Sequence, residues 1–290
     1  MVALTDRIAG APISWGVCEV PGWGYQLDRS LVLTQMRDVG LVATELGPEG
    51  FLPTDPQAAA ATLNDAGLRA VGGFVPVVLH DPTHDPLPDV DTALDSLVAA
   101  GAGVVVLAAA TGLQGYDERP VLDDAAWDRL LANLDRIAAR AAERGVVTAL
   151  HPHVGTLVER REEVERVLSG SGVALCLDTG HLLIGGTDPL ELVRSLPDRV
   201  LHVHLKDVDE SWARKVRSGD TTYTEAVAAG MYRPLGQGDV DVAQIVRLLE
   251  AGGYQGWYVL EQDTVLAGPS DGDGPLADVR QSVEYLKALA

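Results

Sequence analysis

The chain is poor in basic residues: 22 Lys and Arg stand against 42 Asp and Glu in 290 residues, a formal net charge of −20. A surface that acidic repels phosphate backbones and anionic lipid headgroups, which excludes nucleic-acid and membrane-surface partners. Cysteine is scarcer still. Cys18 and Cys176 are the whole complement, so there is no disulfide framework, and a reducing, cytoplasmic setting is expected. No stretch approaches the ~20 apolar residues of a membrane span. The opening MVALTDRIAG has no basic region followed by a long apolar segment, so no secretory signal is expected. Linkers and low-complexity tracts are absent as well, and one domain over residues 1–290 is the expectation.

What the chain has in quantity is one repeated phrase: an amphipathic helical stretch, a glycine, then a short Val/Ile/Leu run. Examples are QMRDVGLVATEL, SLVAAGAGVVVLAAA, AAERGVVTAL and LLEAGGYQGWYVLE. The glycine suits a helix C-terminus that needs positive φ, and the apolar run suits a buried parallel strand. Pro56 after Asp55 and Pro189 after Asp188 mark helix starts. The pattern predicts eight strands: 8–17, 41–46, 69–78, 104–108, 146–150, 174–178, 200–206 and 256–261. The longest predicted helix runs from about Asp123 to Arg144. Eight alternating β/α units without a composition break predict an α/β fold, a single (β/α)₈ TIM barrel. A doubly wound sheet is disfavoured, because SWGVCEVPGWG after strand one lacks the G-x-G-x-x-G spacing of a dinucleotide loop. The region from Asp207 to about Asp239 reads as a long irregular lid on the C-terminal face of the barrel, one that orders when substrate binds.

Active sites of such barrels lie at the C-terminal ends of the strands. Strand two ends there in Glu45, strand five in His151 and His153, and strand six in Asp178 with His181 just beyond. Strand seven carries His202, His204, Lys206 and Asp207; strand eight ends in Glu261, with Asp263 following. In LHVHLKD the alternation puts His202, His204 and Lys206 on one face, with Val203 and Leu205 on the other. Imidazoles and carboxylates from several strands converging on one axis suit a divalent cation of the Mn²⁺, Co²⁺, Zn²⁺ or Fe²⁺ type, and Mg²⁺ fits the same oxygen-rich end of the range. Singly, each of these residues also suits a hydrogen-bonded core role; together, His151, Asp178, His204 and Glu261 point to metal, since so many unpaired ionisable groups are costly to bury.

Four phrases carry a resemblance. APISWGVCEVPGWG, HPHVGT, LDTGHLLIGGTDP and HVHLKDV followed by PLGQGDVD resemble the xylose-isomerase-like TIM barrel superfamily of sugar isomerases, epimerases and dehydratases, and within it the inosose dehydratases. The resemblance implies one metal ligand each from strands five to eight, which fall here on His151, Asp178, His204 and Glu261. It implies a lyase that removes water from a cyclic keto-polyol such as 2-keto-myo-inositol, through a metal-stabilised enolate, with Mn²⁺ or Co²⁺ as the first metals to try. One departure is visible: isomerases and epimerases of this kind carry a glutamate on strand five, where His151 stands. That weakens the alternative of a keto-sugar isomerase or epimerase; a 3-keto-glycoside lyase is a further alternative on the same metal site.

Dehydration beside a ketone needs carbonyl polarisation, a base for the α-hydrogen and an acid for the departing hydroxyl. His153, His181 and Lys206 are the candidates for proton transfer, and the sequence does not rank them. Glu45 either binds sugar hydroxyls or pairs with Lys206. Trp15 and Trp23 either stack on a polyol ring or anchor their Gly/Pro-rich loop. Asp207, and Arg233 from the lid, complete the candidate substrate contacts. The expected partner is a small keto-polyol or sugar, and a homo-oligomer is left open. A DNA-repair endonuclease on a related barrel is excluded by the charge; a non-catalytic sugar-binding module is the remaining rival.

Overall fold

The computed structural model describes residues 2–269 and 274–290. The strands are β1 (Ile8–Gly10), β2 (Ala43–Thr44), β3 (Arg69–Ala70), β4 (Gly72–Val78), β5 (Val104–Ala110), β6 (Val147–Leu150), β7 (Ala174–Asp178), β8 (Val200–Leu205), β9 (Asp207–Val208), β10 (Tyr232–Arg233) and β11 (Tyr258–Leu260). Nine of them form a sheet in the order β3-β2-β1-β11-β8-β7-β6-β5-β4, with every pairing parallel. The two ends of that order, β3 and β4, are separated only by Val71. Together they form one interrupted barrel strand, so the sheet returns on itself. Across the seam, Val71 N–H donates to Thr44 O and Leu46 N–H to Gly72 O, both at 3.0 Å. This is the (β/α)₈ barrel that the repeat predicts.

Strand β5, VVVLAAA, is buried along its length except for its half-buried ends, as a parallel strand covered on both faces must be. The helix Asp124–Glu143 coincides with the longest predicted one. Asp123 caps it by accepting from Ala126 N–H, and Trp127, Leu130, Leu134, Ile137 and Ala141 form its buried stripe. Asp55 and Asp188 act as the N-caps their prolines foretold.

Two expectations are corrected. Strand one ends at Gly10, not residue 17, because Pro12 cannot donate to a strand ladder and Pro12–Trp15 forms a 3₁₀ turn instead. The segment from Asp207 to Asp239 is not irregular. It pairs β9 with β10 antiparallel and holds the helices Glu210–Ser218 and Tyr223–Ala228, each with a side-chain N-cap. Val208, Ala213, Tyr223, Ala226, Met231 and Tyr232 are buried beneath it. It is a folded cap over the barrel mouth. Among the described residues no helix is long and apolar enough to cross a membrane.

Candidate metal centre and active site

Strand geometry assembles the site. His151 N–H continues the ladder of β6 by donating to Leu107 O at 2.8 Å. His153, two residues on, keeps the same side, and the two rings lie 5.2 Å apart, centre to centre. His204 at the end of β8 and Lys206 just past it line the same cavity, together with Glu261 and Asp263, which follow the neighbouring β11. Asp178 ends β7 and doubles as an N-cap: its Oδ1 accepts from the N–H groups of Gly180 and His181 at 2.9 and 2.7 Å. Gly180 is needed for close approach, since a Cβ there would lie 2.7 Å from that of Lys206. Oδ2 of Asp178 is thereby left to face the axis.

The ligand atoms of Asp178, His204 and Glu261 lie within 4.8 Å of one another, all buried. His151 joins through overlapping sets that share Asp178 or His204, its Nε2 standing 3.1 Å from Asp178 Oδ2. The arrangement of His204 is decisive. Its Nε2 is 2.9 Å from Glu45 Oε1, and because a carboxylate only accepts, Nε2 carries the hydrogen. Nδ1 then points at two carboxylates, 3.1 Å from Glu261 Oε2 and 3.6 Å from Asp178 Oδ2, yet it makes no hydrogen bond to either. A ring nitrogen that faces two anions without bonding geometry marks a point where positive charge settles, a proton or a metal cation, and these donors fit a divalent metal.

Charge tells the same story. Glu45, Asp178, Glu261 and Asp263 bring four buried carboxylates against the one ammonium of Lys206 among the described residues. Burial alone would lift these acids. For Asp178 the neighbouring His181 ring and the Lys206 ammonium, with the hydrogen bond from His151, outweigh it and hold the group well below the ordinary range. Glu261 is likewise drawn down, to about 2, by His204 and Lys206. Burial works against charge on His204, but Cys176, Glu261 and Glu45 raise its pKa well above normal. The pocket draws positive charge to this one point.

Lys206 Nζ donates to Asp263 and lies 2.8 Å from Glu261 Oε2. Burial disfavours its charge, but Asp263, Glu261 and Asp178 keep the ammonium protonated far above neutrality. His153 behaves oppositely. Burial first, then the neighbouring His151 and Lys206, push it well below the normal histidine range, so it is neutral at pH 7. Its Nδ1 is 2.7 Å from the carbonyl of Val154, which places the hydrogen on Nδ1 and the lone pair on Nε2. His181 is also held neutral, chiefly by burial and by His153. Its Nδ1 accepts from Val154 N–H at 3.3 Å, and its ring packs 3.7 Å from that of His153. It stands behind His153, outside the cavity lining.

The structure revises several second-tier expectations. Glu45 does not pair with Lys206; it receives His202 Nε2 at 2.7 Å and His204 Nε2 at 2.9 Å, so it orients the strand-seven histidines. Trp15 is fully buried and donates to Gln35 Oε1 at 2.8 Å; it anchors its loop and does not touch the cavity, whereas Trp23 does. Asp207 is consumed by the backbone N–H groups of Gly236, Gly238 and Val240, which makes it the clasp of the cap. Arg233 is exposed, pairs with Asp209 at 3.5 Å and does not line the catalytic cavity. The residues that sequence reasoning passed over are aromatic. Phe74 packs edge-on against His151, Tyr116 lies 4.5 Å from the His153 ring, and Tyr223 donates to Asp263 Oδ2 at 2.5 Å. Tyr116 also bonds Glu19 across the mouth. Gly155 fits beneath Tyr116 only because it lacks a Cβ, which would fall 2.4 Å from the Tyr116 backbone.

Because Glu45 accepts from His204 Nε2 and so orients that ring, Glu45→Gln should weaken metal affinity about 10–100-fold with the fold intact. A competition titration against a chelator measures this, and unchanged affinity would remove Glu45 from that role.

A model of the xylose isomerase-like TIM barrel family matches residues 35–289. An inosose dehydratase of Geobacillus thermodenitrificans is 32% identical over 91% of this chain and 92% of its own. A rhizopine catabolism protein of Rhizobium meliloti is 34% identical, over 90% of this chain and 82% of its own. Among solved structures, an IOLI protein with a bound zinc atom shares the fold at a TM-score of 0.68 and 13% identity, covering 97% of this chain and 96% of that one. In fold and in sequence, the chain belongs to the xylose isomerase-like TIM barrel family, among relatives that include inosose dehydratases.

Proposed function

We propose that this protein is a divalent-metal-dependent hydro-lyase that removes water from a cyclic keto-polyol of the inosose type, with Asp178, His204 and Glu261 holding the cation and His151 completing the set. The observation that carries this reading is the cavity's unlike proton-transfer pair, a neutral His153 with a free Nε2 and a charged Lys206, beside the cation-seeking Nδ1 of His204. The relatives named inosose dehydratase support it. Mn²⁺ and Co²⁺ are the first metals to test, with Zn²⁺, Fe²⁺ and Mg²⁺ behind them. The bound metal would supply Lewis-acid polarisation of the ketone oxygen.

The chain's own residues do the rest. His153 Nε2 takes the α-hydrogen, and its electron pair forms the new C=C bond. The β-hydroxyl leaves with a proton from the Lys206 ammonium, so one water is released and the enol relaxes to a diketone. His181 braces the His153 ring, and Asp263, itself held by Tyr223, positions Lys206. With His151 where isomerases carry a carboxylate, the site lacks one anion, and a cation held there would withdraw electrons more strongly. Free space inside the cavity is about 60 Å³, while about 150 Å³ is needed for a ring the size of benzene. The Tyr116–Glu19 latch must therefore part to admit substrate. We take residues 1–290 as one catalytic domain, acting on a free small molecule in the cytoplasm, with no nucleic-acid or membrane partner.

Incubation of chelator-stripped and metal-reloaded protein with inosose tests the reading. The reloaded protein should yield a product lighter by one water and the stripped protein none; a ketose of unchanged mass would assign the isomerase or epimerase alternative. His153→Gln should keep metal content while lowering turnover by about 10²–10⁴-fold. Turnover near wild type in that variant would exclude His153 as the base.

A further inference from the structure

The proposed chemistry leaves a large neighbouring space unused. Beside the catalytic cavity lies a chamber of about 400 Å³, more than six times its volume. It arises at the barrel seam. β2 pairs with β3 only through Ala43 and Thr44, and the last rung is Leu46 N–H to Gly72 O. Above that rung, loop 47–54 and strand β4 part, and the helix Leu87–Ala100 floors the gap. Leu46, Leu52, Pro53, Val75, Ala93 and Leu97 make an apolar lining, and Glu19, Glu49 and Asp89 stand around it. Gly47, Pro48 and Phe74 border both spaces. Phe74 is the partition, its ring 5.8 Å from His151 and 5.5 Å from His153.

We infer that this chamber is a substrate subsite, which takes an O-linked aryl or branched-alkyl group carried by the polyol ring. The inference rests on the proposed polyol chemistry of the adjoining cavity. The border that the two spaces share at Glu19, Gly47, Pro48 and Phe74 makes the occupant an extension of the substrate. The apolar walls favour a hydrocarbon body, and the three carboxylates oppose an anionic one such as a phosphate. The volume, over twice that of a benzene-sized site of about 150 Å³, suits a benzyl group.

Calorimetry with myo-inositol and a mono-O-benzyl-myo-inositol tests this on the metal-loaded protein, because neither probe has a ketone to react. The benzyl ether should bind at least about tenfold more tightly. Ala93→Phe and, at the exposed rim, Thr92→Trp each fill the chamber without touching the catalytic residues. Both should erase most of that advantage while leaving kcat/KM for inosose within about twofold of wild type. Equal affinity for the two probes, binding of neither, or an advantage that survives in both variants would overturn the subsite. Inosose turnover without a benzyl advantage sinks the subsite alone, whereas a chamber-dependent advantage without inosose turnover sinks the dehydratase reading alone.

Discussion

On the proposed metal site, Asp178→Asn should abolish binding of added Mn²⁺ and lower turnover by more than about 10³-fold, since Lewis-acid stabilisation of several kcal/mol would be lost at about 1.4 kcal/mol per decade. The fold should survive. Asparagine still caps a helix start, so the bonds from Gly180 and His181 N–H to the side-chain oxygen persist. What disappears is the charge facing His204 Nδ1 and His151 Nε2. Circular dichroism and metal analysis on one sample separate these effects. Full metal occupancy in Asp178→Asn would refute the assignment, and loss of helix signal would show that the cap, not the charge, is the residue's main contribution.

Lys206→Met should be the most destabilising single change at the site. The ammonium is buried and in contact with Asp263 and Glu261. Removing one member of a buried charge cluster leaves the others uncompensated, at a cost of about 3–5 kcal/mol. Adding Asp263→Asn should recover part of the loss, because the carboxylate nearest to the missing ammonium is then neutral, and the two changes should be strongly non-additive. Turnover should not recover, since the double variant still lacks the Lys206 ammonium. Chemical denaturation of the two single variants and the double variant reads the coupling. Additive destabilisation would mean that Lys206 and Asp263 do not act as a pair.

The barrel was legible because its signals are periodic: glycine-terminated helices and apolar runs recur throughout, and the seam at Val71 does not disturb them. The positions of His204 and Lys206 at the cavity, with His202 lower against Glu45, follow from strand alternation alone, as does the shared side of His151 and His153. Partnership is another matter. Glu45 meets His202 and His204 across a separation of more than 150 residues, and no local spacing encodes that. Trp15 suited stacking on a polyol ring and anchoring its loop equally in the sequence, and only the distant partner Gln35, which accepts from its N–H, shows the anchor. The cap was misread as irregular because its two helices are short, nine and six residues, and lack the long apolar stripe that marks Asp124–Glu143. The proposed division of roles, His153 as base and Lys206 as acid, was out of reach of sequence, since it rests on the Val154 carbonyl that sets the imidazole tautomer and on the carboxylates that hold the ammonium charged.

Elimination and isomerisation begin with the same proton abstraction, so the fate of that carbon decides between them. The most direct measurement is therefore nuclear magnetic resonance of inosose incubated with the metal-loaded protein in D₂O. Elimination predicts a diketone that accumulates as inosose disappears, with the hydroxyl lost from the β-carbon. Recovered ketose that carries deuterium at the α-carbon and keeps every hydroxyl, with no diketone formed, would contradict it.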